Sequence, residues 1–127
     1  MLTGSCLCQG VTHSLGGLLR PSVACHCTQC RKTSGHYMSA TQFGPDLLTI
    51  TRDETLVWCQ SSEKAQRGFC DRCGPSVFWR HEENGCAVRV MSGTPDGPTG
   101  LKTEKHIYVA DKGDYYDIAD GLPQREN

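Results

Sequence analysis

The stretch Cys25-His26-Cys27-Thr28-Gln29-Cys30 places three thiols within six residues, and two smaller groups resemble it: Cys6-Leu7-Cys8 near the N-terminus and Cys70-Asp71-Arg72-Cys73-Gly74 past the middle. On a strand, side chains alternate faces, so Cys6 and Cys8 point the same way and can share one ion while Leu7 faces the other side. Cys70 and Cys73 have the spacing with which a chain turns around a metal, and Gly74 supplies a residue tolerant of positive φ after that turn. Joined, the two pairs offer four thiolates in a closed tetrahedral shell, the arrangement of a structural zinc. Such a site clasps distant parts of the chain and contributes on the order of 10–16 kcal/mol to folding.

The middle group needs a different reading. Cys25 and Cys27 have same-face spacing and Cys30 adds the turn spacing, so three thiolates converge with no clustered cysteine left to complete the shell. Three protein ligands and an open fourth position mark a zinc that meets water or substrate. With three thiolates the site carries a net charge near −1. It is a poor generator of hydroxide and better suited to a substrate thiol that adds to, or leaves from, a carbonyl carbon. The competing reading is a second structural zinc completed by His26, His36, Cys59, Cys86 or His106. Strand alternation turns His26 away from its neighbours, and His106 reads as a satisfied polar residue at a strand end.

The rest of the chain supports metal over disulfides. It has 127 residues, the size of one domain spanning 1–127, and its 13 Lys+Arg and 14 Asp+Glu leave a net charge of −1. No field therefore exists to hold nucleic acid or an anionic membrane. No stretch approaches the roughly 20 apolar residues of a membrane span, and Met1-Leu2-Thr3-Gly4-Ser5 has no basic region followed by an apolar run. The expectation is a soluble, cytoplasmic protein whose thiols stay reduced. Hydrophobic residues make up 37%, but nine of them are cysteines, so the core is lean and a metal clasp would help it.

Fourteen glycines and six prolines break up short apolar runs. Val23-Ala24, Leu47-Leu48 with Ile50, Leu56-Val57-Trp58, Val77-Phe78-Trp79, Val88 with Val90 and Met91, and Ile107-Tyr108-Val109 read as strands. Gly44-Pro45-Asp46, Glu83-Asn84-Gly85 and the stretch 94–100 read as turns. Two short helical pieces are expected, one over Gln29-Cys30-Arg31-Lys32 before Gly35 and one before Gly121, and residues 124–127 read as a loose tail. The fold class is mostly β, with many short strands. Phe69, Phe78 and Trp79 pack the core, one of them lining a pocket. Cys59 and Cys86 read as core fillers, and Arg31 and Lys32 as cations able to offset thiolate charge or attract a carboxylate.

Gly4-Ser5-Cys6-Leu7-Cys8, Cys25-His26-Cys27-Thr28-Gln29-Cys30-Arg31-Lys32 with Ser34-Gly35, Gly68-Phe69-Cys70-Asp71-Arg72-Cys73-Gly74 and His106-Ile107-Tyr108-Val109 together resemble the glutathione-dependent formaldehyde-activating enzyme family, which also includes centromere protein V. The resemblance runs from about Leu2 to Pro123, with order and spacing kept. It implies a β-tent fold of several short antiparallel sheets around two zinc ions per chain. The structural ion corresponds to Cys6, Cys8, Cys70 and Cys73, and the catalytic ion to Cys25, Cys27 and Cys30. The implied activity is that of a carbon–sulfur lyase acting on S-hydroxymethylglutathione, the adduct of glutathione and formaldehyde. Two positions depart from the pattern: Gln9 stands where many members have glycine, and Pro75 where a small polar residue is common. Arg31, Lys32, Arg72 and Arg80 are the cations available to a glutathione-like partner. The alternative function is a non-catalytic, zinc-stabilised protein-interaction module, which the absence of basic tails makes a poor chromatin binder.

Overall fold

A computed structural model describes residues 2–17, 19–42, 47–84 and 87–127. Of the expected features, the Gly44-Pro45-Asp46 turn, the end of the Glu83-Asn84-Gly85 turn and Cys86 lie outside the described residues. Two sheets carry the fold. In the smaller, β1 (Leu2–Ser5) pairs with β2 (Val11–Leu15), which pairs with β5 (Leu48–Asp53), all antiparallel. The larger sheet has seven strands in the order β10-β3-β4-β9-β8-β7-β6. These are β3 (Ser22–Cys25), β4 (Met38–Gln42), β6 (Leu56–Gln60), β7 (Ala65–Cys70), β8 (Ser76–His81), β9 (Val88–Met91) and β10 (Thr103–Ile107). The mostly β expectation holds. Its antiparallel pairing has one exception, because β10 returns from the far end of the chain to run parallel to β3.

The helix expected before Gly35 is α1 (Thr28–Ser34), closed by Gly35 at φ 82°, where a side chain would be strained. The helix expected before Gly121 does not form. Tyr108 turns into the left-handed region at φ 56° and a single 3-10 turn covers Val109–Asp111, so the apolar run that begins at Ile107 leaves the sheet there. The tail is held rather than loose: Arg125 N donates to His106 O at 2.9 Å and Val109 N to Arg125 O at 3.0 Å.

Strands β1, β2, β4 and β7 carry no apolar run. In β2 the residues facing inward are Val11, His13 and Leu15, an alternation in which histidine takes an interior place. His13 Nε2 lies 3.0 Å from Thr94 Oγ1, whose own hydrogen goes to Met91 O, so His13 donates there. Its Nδ1 is buried without a partner. Burial pushes its pKa down to about 4, because protonation would leave an unpaired charge in the core. The unfolded chain therefore binds a proton that the folded chain rejects between about pH 6.5 and 4. Stability is full above that window and declines as pH falls through it, by up to about 3 kcal/mol. Urea titrations of wild type and His13→Gln should diverge over this window; parallel pH profiles would contradict the assignment.

The main core gathers Val11, Leu15, Val77, Phe78 and Val90 with Cys6 and Cys70. A second cluster packs Cys30, Met38 and Met91 beside Cys25, Cys27 and Trp79. Each thiol group thus sits against a hydrophobic nucleus of its own.

Candidate metal centres and cleft

Cys6, Cys8, Cys70 and Cys73 bring their sulfurs within 4.8 Å of one another, and so do Cys25, Cys27 and Cys30. In the first group Cys6 and Cys8 stand 3.7 Å apart, and Cys8 and Cys70 3.6 Å apart. Sulfurs at about 2.3 Å from a tetrahedral zinc are separated by about 3.8 Å, so the spacing fits that ion. Each sulfur also accepts a hydrogen bond, as thiolates require: Cys6 from Val11 N, Cys8 from Arg72 Nε, Cys70 from Cys73 N and Cys73 from Cys8 N, at 3.3–3.4 Å. The Gly10 backbone and the Arg72 guanidinium hold the Cys8 thiol below its ordinary range.

The route to this convergence differs from strand alternation. β1 ends at Ser5, and Cys6-Leu7-Cys8 forms the turn into β2, closed by Cys6 N to Val11 O at 3.0 Å. A turn aims two sulfurs inward as alternation would, and it throws Leu7 out to 88% exposure. Gln9 stands in that turn at φ 65°, a conformation glycine adopts without strain and glutamine does not. Gly74, at φ 97°, plays the part expected of it after Cys73.

In the second group, β3 delivers Cys25 and then ends, and Cys27 caps α1, its sulfur accepting from Cys30 N at 3.3 Å. Hydrogen bonds with Cys25 and Cys30 lower the Cys27 thiol, and hydrogen bonds with Cys27 and Cys30 raise Cys25. Arg67, nearly buried on β7, donates through Nη2 to Cys30 Sγ at 3.4 Å. Three thiols arranged this way can hold a soft cation.

Among the described residues no fourth His, Cys, Asp or Glu joins this group. His26 and His106 bond to each other instead, His36 lies against Tyr115 and Tyr116, and Cys59 is exposed on β6. Cys59 is therefore no core filler; on β6, at the end of the sheet, its side chain points to solvent.

The three sulfurs open on a cleft of about 490 Å³ whose walls include Met38, Trp79 and Met91. Its cations are Arg20, Arg67 and Arg89, none of which stood out in the sequence, because each is brought there by a different part of the chain. Arg31 and Lys32 do not line it. Arg72 serves the other sulfur group, and Arg80 stacks 3.7 Å from the centre of the Trp58 ring. The Nε atoms of Arg20 and Arg67 are buried without partners, and among the described residues none of the three arginines forms an ion pair with a carboxylate. Burial and the nearby charge of Arg20 lower the pKa of Arg89. Unpaired cations in a half-closed cleft favour an anionic ligand.

The model of the family described as glutathione-dependent formaldehyde-activating enzyme matches residues 1–111. The chain belongs to that family. Family membership supports a lyase-type, glutathione-dependent formaldehyde-activating function at the level of the family as a whole. The chain is also similar to an uncharacterized lyase of Schizosaccharomyces pombe, 27% identical over 120 residues that cover 91% of this chain and 84% of that protein. The fold is shared with a crystal structure of a Rhodobacter sphaeroides protein, with a TM-score of 0.61 and 22% identity, covering 77% of this chain and 91% of that one. Among the described residues no helix is long and apolar enough to cross a membrane.

Proposed function

We propose that residues 1–127 act as a single zinc-binding domain that makes and breaks the carbon–sulfur bond of a thiol adduct of a small carbonyl compound, with S-hydroxymethylglutathione as the model substrate. Two zinc ions serve each chain. Cys6, Cys8, Cys70 and Cys73 hold the structural one, and Cys25, Cys27 and Cys30 the catalytic one, in a reducing, cytoplasmic setting. The observation that carries this reading is the three-thiol group without a fourth described ligand, opening on a cleft with unpaired arginines.

Zinc bound there supplies the acidity that lets a substrate thiol lose its proton while staying nucleophilic. The chain's own residues do the rest. Arg67 draws charge from the Cys30 sulfur and offsets the net negative charge of three thiolates. Arg20 and Arg89 hold substrate carboxylates, and Met38, Trp79 and Met91 exclude water from the reacting atoms. In the forward direction the sulfur lone pair forms the S–C bond and the carbonyl π pair moves to oxygen. The proton given up by the thiol ends on that oxygen; the reverse direction returns it.

Zinc-loaded protein should accelerate adduct formation from glutathione and formaldehyde, followed by NMR of the hydroxymethyl protons. Arg89→Gln should raise KM for glutathione about tenfold, the scale of one charge-assisted contact, and leave 2-mercaptoethanol, which has no carboxylate, unaffected. No acceleration by the wild type would overturn the lyase reading. An equal effect on both thiols would overturn the role of Arg89.

A further inference from the structure

His26 stands between two thiols that line the cleft, yet its own side chain does not line it and is 1% exposed. It occupies the single position between the end of β3 at Cys25 and the cap of α1 at Cys27. Its backbone N donates to Ile107 O at 3.0 Å. Its Nε2 lies 2.8 Å from His106 Nδ1, and its Nδ1 is hydrogen-bonded to the Tyr116 hydroxyl. His106, also buried, places Nε2 2.8 Å from Asp120 Oδ2. Asp120 is itself fixed, because its Oδ1 accepts from Leu122 N at 3.1 Å. These four side chains come from β3's end, β10 and the irregular C-terminal segment.

The donor and acceptor inventory gives the chain a direction when both imidazoles are neutral. The hydrogen bond with His106 holds the Asp120 carboxyl below its usual range, so it is ionised and only accepts. His106 must then donate from Nε2 and accept at Nδ1. His26 must donate from Nε2 and accept at Nδ1 from Tyr116, whose burial favours the protonated phenol. We propose that Asp120 is a positioning residue: through the directed chain Tyr116 to His26 to His106 to Asp120, it locks the His26 bend from which Cys25 and Cys27 reach the cleft. Outer-shell groups that orient metal ligands commonly change metal affinity 10- to 100-fold when lost. The inference rests on reading Cys25, Cys27 and Cys30 as zinc ligands.

Asp120→Ala tests it, because the Asp120 side chain is 46% exposed and removing it opens no core cavity. Two readouts apply at pH 8. Long-range proton–nitrogen NMR should show the Nε2–H tautomer for His26 and His106 in the wild type and mixed tautomers in the variant. Chelator competition should show zinc leaving the three-cysteine group about tenfold faster, with release from the four-cysteine group unchanged. Asp120→Asn, which keeps an acceptor oxygen, should recover part of the slow release. Unchanged release, or equal acceleration at both groups, overturns the proposal while the lyase reading stands. A wild type that binds one zinc only, at the four-cysteine group, overturns both.

Discussion

Cys27→Ser should lower kcat/KM for adduct formation about a thousandfold or more and leave the fold intact. The thiol is one of three that converge on the cleft, and on the proposed reading it is a zinc ligand that the other two cannot replace. Several kcal/mol of catalytic stabilisation by a metal correspond to a loss on that scale. The fold survives for a local reason. Cys27 caps α1 by accepting from Cys30 N, and serine is among the strongest N-cap residues, so the hydroxyl takes over the structural role and abandons the chemical one. Zinc content should fall from two ions per chain to one, with an unchanged far-ultraviolet circular dichroism spectrum. A variant that unfolds would show the middle group to be architectural. A variant that keeps full turnover would remove it from the mechanism.

Cys70→Ser should do the opposite and abolish cooperative folding at 25 °C. Cys70 is fully buried in the main core and its sulfur also meets Thr55 Oγ1 at 3.1 Å. Its group joins the β1–β2 turn to the β7–β8 turn, more than 60 residues away along the chain, as the 62-residue separation of Cys8 and Cys70 shows. Native domains are stable by only about 5–15 kcal/mol, and a structural zinc contributes about 10–16 kcal/mol, so losing its hold consumes the whole margin. Thermal unfolding monitored by circular dichroism should lose its sigmoidal transition, and chelation of the wild type should reproduce the effect. A folded, cooperative Cys70→Ser would mean that apolar packing alone sustains the two sheets.

The contrast between the two variants separates the two groups better than either alone. Both are sets of thiols at similar separations, and both are flanked by guanidinium groups, Arg72 at one and Arg67 at the other. Among the described residues they differ in closure: one has four sulfurs wrapped by two turns, the other three sulfurs and a cleft.

Much of this was legible in the sequence because cysteine spacing is a local code. A separation of one or two residues brings two sulfurs to one side whether the backbone is a strand, a turn or a helix cap. The grouping of Cys6 with Cys8, Cys25 with Cys27 and Cys30, and Cys70 with Cys73 therefore survives even where the predicted strand over Cys6-Leu7-Cys8 is a turn. Runs such as Val77-Phe78-Trp79 marked β8 correctly, since branched and aromatic side chains suit a pleated surface. Strands such as β7, with Arg67 and Gly68 at its centre, left no such trace. Neighbours on both sides impose the strand, and Gly68 is small because Trp58, Leu56 and Phe78 crowd the space a side chain would fill.

The sequence by itself determined which residues could bind metal, which clustered cysteines belong together, and that the chain is built of short strands. Only the tertiary structure decided which cations face the three-thiol cleft and that His26, His106 and Asp120 form one chain. Arg20, Arg67 and Arg89 lie on separate segments, and His26 and His106 are 80 residues apart. The physical reason is the range of the forces: ligand spacing is set by a few backbone dihedrals, whereas the meeting of distant side chains depends on strand order. Here that order includes the parallel return of β10 to β3, which no nearby residue encodes.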